Sequence, residues 1–188
     1  KISLVGKTGV SFSAESVQND SEIKTKTDEY AETKRYTSVT NQISADTGKG
    51  IYTVNTDKSA AVCGFIGKNN ISVGNISICI NNDYAAVMLA SLDNNNIASS
   101  EHMLLTLAGN ALNYGQLMTE DGNAIAIAGK SPIMVEQITG DILVKASGEY
   151  EVYPLTSSGE RKGAVKVIKT SDGFKFSVSK DTEAMSFE

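Results

Sequence analysis

From Ser44 to Gly140 the chain alternates apolar and polar positions with a period of two, and clusters of Gly, Asn or Asp end each run. This pattern marks strands that bury one face and are joined by tight turns. The clearest run is Ile76-Ser77-Ile78-Cys79-Ile80, with three isoleucines on one face and Ser77 and Cys79 on the other. Ile51-Tyr52-Thr53-Val54-Asn55 is β-branched and aromatic, and Ala60 to Ile66 is apolar enough to be buried on both faces. Turns are expected at Asp46-Thr47-Gly48-Lys49-Gly50, Gly67-Lys68-Asn69-Asn70, Glu120-Asp121-Gly122-Asn123, Thr139-Gly140-Asp141, Ser157-Ser158-Gly159-Glu160 and Ser171-Asp172-Gly173.

Tyr84 to Leu92 and Ile97 to Ala108 flank Asp93-Asn94-Asn95-Asn96, a long-turn hairpin signal. Met88, Leu89 and Leu92, then Met103, Leu104 and Leu107, also have helical spacing. Strands are preferred, because turns recur and helices here would lack clear caps. About twelve strands are predicted, enough for two packed sheets. The expected fold is all-β: a two-sheet antiparallel β-sandwich, jelly-roll-like, forming one domain over residues 1–188. Val10-Ser11-Phe12-Ser13 predicts an early strand. Residues 18–43 break the pattern as a polar N-terminal arm, read as a loop or edge segment. Within it, Asp28 to Lys34 also suits one or two helical turns.

Charge narrows the partners. The net charge is −5, with no Lys/Arg stripe, so a phosphate backbone is repelled and no nucleic acid is expected. The absence of a long apolar run predicts no membrane span. The first six residues are too short and polar for a signal peptide, so a secreted form would have lost its signal or carry it upstream.

Cys63 and Cys79 are the only cysteines and His102 the only histidine, too few for a four-ligand zinc site. Two readings of the thiols stand: buried small hydrophobes, or a disulfide between neighbouring strands. No cofactor is expected. Calcium is the one ion with suitable donors, in Asp93–Asn96 and Glu120–Asn123, although plain turns are made of the same residues.

Asp83, Glu101, Glu120 and Glu136 each stand at a strand end or turn, where acidic residues are ordinary, and do not announce the carboxylate pair of a glycosidase. Glu136 is read as hydrogen-bonded at a sheet edge. His102 reads as a structural or surface histidine. Gly64-Phe65-Ile66-Gly67 lacks the Lys and the helix of a phosphate loop.

Sugar binding needs an aromatic face and amide or carboxylate groups for the hydroxyls. There is no Trp, so the seven tyrosines carry the search. Tyr52 and Tyr84 lie in strongly apolar strands and are expected in the core. Tyr30 and Tyr36 lie in the polar arm and are expected at the surface. Tyr114 sits in the turn-like, amide-rich segment Asn110 to Gln116, and Tyr150 and Tyr153 alternate with Glu149 and Glu151. The candidate carbohydrate-binding residues are Tyr114, Asn113 and Gln116, then Tyr30, Tyr36 and Tyr153.

A series of short motifs carries a resemblance. It runs Ser44-Ala45-Asp46-Thr47-Gly48, Thr53-Val54-Asn55-Thr56, Gly64-Phe65-Ile66-Gly67, Asp83-Tyr84-Ala85-Ala86-Val87, Ser91-Leu92-Asp93 and Ser100-Glu101-His102-Met103-Leu104-Leu105-Thr106. It ends with Gly109 to Gly115 and Pro132-Ile133-Met134-Val135-Glu136. In order and spacing the series resembles the C-terminal β-sandwich region that follows the catalytic barrel in many secreted bacterial glycoside hydrolases. The match covers residues 40–168. A Trp usual after Asp46-Thr47-Gly48 is missing, Asn110 stands where Arg is common, and Tyr114 where Thr is common. The resemblance implies a non-catalytic carbohydrate-binding module of a secreted bacterial enzyme, with a polysaccharide and an adjoining glycoside hydrolase domain as partners. The alternatives are a sandwich that docks on and stabilises the barrel, or an adhesin-like protein-binding domain.

Overall fold

The computed structural model describes residues 21–188. The expected strand at Val10–Ser13 lies outside them. Sixteen strands are present among the described residues, and every ladder is antiparallel. The expected all-β two-sheet sandwich is the fold.

The larger sheet has seven strands: β1 (Arg35–Thr37), β2 (Ile43–Asp46), β3 (Ile51–Asn55), β4 (Ser59–Gly64), β7 (Ala85–Ser91), β8 (Met103–Ala108) and β16 (Ser186–Phe187), in that spatial order. The smaller has five, ordered β14 (Val167–Lys169), β15 (Phe174–Val178), β13 (Gly140–Val144), β6 (Ile76–Ile80) and β5 (Asn70–Val73). The chain crosses from one sheet to the other at β4–β5 and back at β6–β7.

Period-two alternation builds the core. Val62, Val87, Leu89, Leu105 and Leu107 point inward from the large sheet, and Ile76, Ile78, Ile80, Ile142 and Phe176 from the small one. Phe187 on β16 is buried between the layers, its ring 5.9 Å from that of Phe176. Burying a side chain of this size stabilises the fold by about 1.5–3 kcal/mol.

Two local expectations are corrected. Within 18–43 the chain forms a helix, α1 (Ser21–Thr33), before the short edge strand β1. The threonines favour extended backbone, but a tertiary contact outweighs that preference: Tyr30 stacks on Tyr36 of β1, with ring centroids 3.7 Å apart. Lys34, at φ 60°, ends the helix in the left-handed region. Thr139-Gly140-Asp141 is no turn but the start of β13. Gly140 has φ 151°, and a Cβ there would lie 2.3 Å from the Cys79 carbonyl oxygen, so the close approach of two strands sets the glycine.

One part leaves the sandwich. Residues 110–136 form a two-stranded ribbon: β9 (Ala111–Tyr114) pairs with β12 (Lys130–Val135), and β10 (Leu117–Met118) with β11 (Ile125–Ile127). These strands pair only with one another.

Candidate functional site

The two outer faces of the sandwich differ in chemistry, and register shows how. On the large sheet, one cross-strand row facing away from the core is Ala45, Tyr52, Cys63, Ala86 and Ala108. The next is Ile43, Val54, Ala61, Met88, Thr106 and Ser186, and the third is Ser59, Ala90 and Leu104. None of these positions is charged. Tyr36 continues the first row, and α1 covers only that end through Tyr30. On the small sheet the matching rows are Ile168, Lys175, Leu143, Ser77 and Ser72, then Ser177, Asp141, Cys79 and Asn70. There Lys175 pairs with Asp141 at 2.9 Å, and Ser177 donates to Asp141 at 2.6 Å. These two donors, Ser177 first, hold the Asp141 carboxyl below its ordinary range.

The ribbon adds a second bare apolar surface. Nine of the fifteen exposed large hydrophobic side chains among the described residues lie on it. Its base is fixed by Glu136. Asn82 Nδ2 donates to Glu136 Oε1 at 2.8 Å, and Asn110 Nδ2 donates to Oε2 at 2.9 Å. The Asn82 amide, more than Asn110, keeps Glu136 ionised below the usual carboxylate range, against the upward pull of burial. The expected role of Glu136, a hydrogen-bonded group at a sheet edge, is what the structure shows. Halfway along, β9 gives way to a kink. A Cβ at Gly129 would meet Gln116 N at 2.6 Å and Tyr114 O at 2.7 Å, so the two backbones cross there.

The sequence-predicted sugar residues do not converge on one surface. Tyr114 is 57% exposed on the ribbon. Asn113 and Gln116 are beside it but hold the backbone: Asn113 N donates to Gln116 Oε1 at 3.2 Å, Gln116 N donates to Asn113 O at 3.0 Å, and Asn113 Nδ2 donates to Ala128 O at 2.9 Å. Tyr30 and Tyr36 are elsewhere, at the β1 end of the large sheet. The expectation that both are surface residues is corrected: Tyr36 is 7% exposed, and its phenol is pushed up to about 12 by the hydrogen bond with Tyr30, with burial adding to it. Tyr52, expected in the core, is 44% exposed on the uncharged face, because its parity along β3 points outward. Tyr84 is half-buried.

Tyr153 belongs to a third group. Its hydroxyl donates to Glu151 Oε2 at 2.7 Å, and the Arg161 guanidinium covers its ring at 4.8 Å. Arg161 also donates two hydrogen bonds of 2.8 Å to Glu188, which accepts a contact from His102 as well. These partners, Arg161 first, hold the Glu188 carboxyl at about 2. His102 is thus an exposed residue in side-chain contact with Glu188, beside the start of β8.

The cysteines stand on opposite outer faces, half-buried and free. Cys63 lies 3.5 Å from the Tyr84 hydroxyl. Neither is in the core, and the two-layer thickness between them excludes a mutual disulfide. In the candidate calcium loops the carboxylates hold their own turns. Asp93 accepts from Ser91, Ser100, Asn95 N and Glu101 N at 2.7–3.1 Å. Burial pushes its carboxyl up, but these four donors outweigh burial and hold it far below normal. Asp121 accepts from Thr119 and from Asn123 in the same way. Among the described residues no group of three or more His, Cys, Asp or Glu is placed to hold a metal ion.

The residues that sequence reasoning missed are those of the uncharged face, above all Ala61, Ala86 and Met88. Their signal was in the sequence: the β4 run, apolar at both parities, was read as buried on two sides. No helix among the described residues is long and apolar enough to cross a membrane. Comparison of the chain with protein-family models, with curated proteins and with solved structures finds no match. The likeness to glycoside hydrolase sandwich modules therefore rests on the sequence motifs alone.

Proposed function

We propose that this chain is a non-catalytic module that works by contact, docking the outer face of its large sheet on a neighbouring protein surface. One observation carries the reading: across β2, β3, β4, β7 and β8 that face has no charged side chain. A solvated sheet face normally carries charges, as the small sheet does, and a broad apolar face marks an interaction site. The ribbon adds exposed apolar side chains of its own. The motif series supports a neighbour of glycoside hydrolase type, in a secreted bacterial polysaccharide-degrading enzyme.

Differential thiol labelling tests this, because each outer face carries one cysteine. In the full-length gene product Cys63 is shielded and Cys79 reacts. In the isolated 188-residue chain both react. Equal reactivity of the two thiols in the full-length protein overturns the proposal.

A second reading, carbohydrate binding, is favoured by Tyr114, whose exposed ring on the ribbon could pack against a sugar. Affinity electrophoresis on plant and cell-wall polysaccharides tests it. Retardation that Tyr114→Ala abolishes supports sugar binding, and unretarded migration on all of them removes it.

A further inference from the structure

At the end of the sandwich closed by β16, a cavity of about 90 Å³ opens between the two sheets. Leu89, Leu105, Val144, Phe174, Phe176 and Phe187 wall it, all buried. The one polar group on the wall is the Tyr150 hydroxyl, whose proton is taken by the carbonyls of Ser100 and Ser147 at 2.9 and 3.0 Å. A sugar, with several hydroxyls to satisfy, would leave most of them unpaired inside.

The mouth has a different character. Glu101, Glu151 and Glu188 border it together with His102 and Arg161. Arg161 gives its two hydrogen bonds to Glu188 and feels the charge of Glu151 more weakly. Among the described residues, neither Glu101 nor Glu151 forms an ion pair. The rim therefore keeps an excess of negative charge above a dry floor, and low-dielectric walls focus such a field. Two phenols register it. Tyr150 is pushed up by burial and then by the charges of Asp93 and Glu101, and Tyr153 by its bond to Glu151.

We infer that this cavity binds an alkylammonium group, its aliphatic stem between the sheets and its ammonium at the mouth beside Glu101 and Glu151. The volume is smaller than the ~150 Å³ of an apolar cavity that admits benzene, so it suits a short chain rather than a ring. The rim disfavours carboxylates of the same length. The group has two possible sources: a free short-chain amine, or a lysine side chain of a partner, whose four-carbon stem has the same chemistry.

The test is a methyl NMR titration of the intact chain with n-butylammonium, n-butanol, butyrate and an Nα-acetyl-lysine methyl amide. Saturable shifts confined to the Leu89, Leu105 and Val144 methyls are expected with n-butylammonium, weaker with the alcohol and absent with butyrate. The double variant Glu101→Gln, Glu151→Gln changes only exposed rim groups and leaves the fold intact. It should weaken n-butylammonium binding about tenfold, to the level of the alcohol. Binding of the blocked lysine as tightly as the amine points to a partner's lysine, and its exclusion to a free amine. The inference is overturned by n-butanol binding as tightly as n-butylammonium in the wild type, or by no saturable shift with either amine.

Discussion

The two outer faces of this sandwich are made by the same backbone pattern and end in opposite surfaces. On the small sheet, outward positions hold a charge pair and serine hydroxyls that bond to each other and to Asp141. On the large sheet they hold Ala, Val, Met, Tyr and Cys, with Ser and Thr as the only other polar groups. Strand geometry cannot explain the contrast, because both sheets are antiparallel and both bury their inner face. Under the proposed docking, it lies in what each face meets, water on one side and another surface on the other. The small residues on the large face matter too. Alanines leave a flat plane, and flatness lets a partner approach the backbone closely.

The largest effect is expected from a charge set in the middle of the bare face. Met88→Lys in the full-length protein should raise the labelling rate of Cys63 at least about a hundredfold, the consequence of an unpaired charge in a desolvated contact. Thermal melting of the isolated chain should barely change, within about 0.5 kcal/mol, since Met88 is exposed there. If Cys63 stays shielded in that variant, the two faces do not differ in the way described. Next in size is the ribbon base. Glu136→Ala leaves the Asn82 and Asn110 amides without their acceptor and should cost about 1–3 kcal/mol. Hydrogen exchange should quicken in β9 and β12 more than in either sheet, and uniform quickening would show that Glu136 does not position the ribbon.

Smaller changes sharpen the contrast from the charged side. Lys175→Met removes the pair with Asp141 and should cost less than about 1 kcal/mol, with Cys63 shielding untouched. The smallest effect on the contrast between the faces concerns acid. The Glu188 carboxyl is held at about 2, below its ordinary 4.5, by Arg161 and then His102. A depressed carboxylate contributes stability that is fully present above 4.5 and lost as pH falls from there toward 2. Glu188→Gln should flatten that part of the stability–pH curve and leave the two outer faces alike in their response. An unchanged acid limb would mean that the pair is not formed in solution.

The core positions of the long strands were legible because alternation at period two carries them. Ile76, Ile78 and Ile80 fell on the buried side of β6 as the spacing required. What alternation does not reveal is the partner of each face. Tyr52 was placed inside because its neighbours are apolar, but the parity that decides is set by pairing with Cys63 and Ala45, which is long-range information. The helix α1 was foreseen only as one or two turns at Asp28 to Lys34 for the same reason, since the Tyr30–Tyr36 stack that holds it is tertiary. Of the candidate site, Tyr114 is exposed, on a strand and not in the turn-like segment expected. Asn113 and Gln116 were chosen for their amides, and those amides do bond, but to the chain itself.

That last pair has a bearing on how the protein behaves when concentrated. A protruding ribbon with bare flanks invites further strands to add along it, the first step toward fibres. Gln116 folds back onto the outward N–H of Asn113 and its own N–H fills the Asn113 carbonyl, so β9 has no vacant rung there for a newcomer. Gln116 thus acts as a stopper at that point of the ribbon's edge.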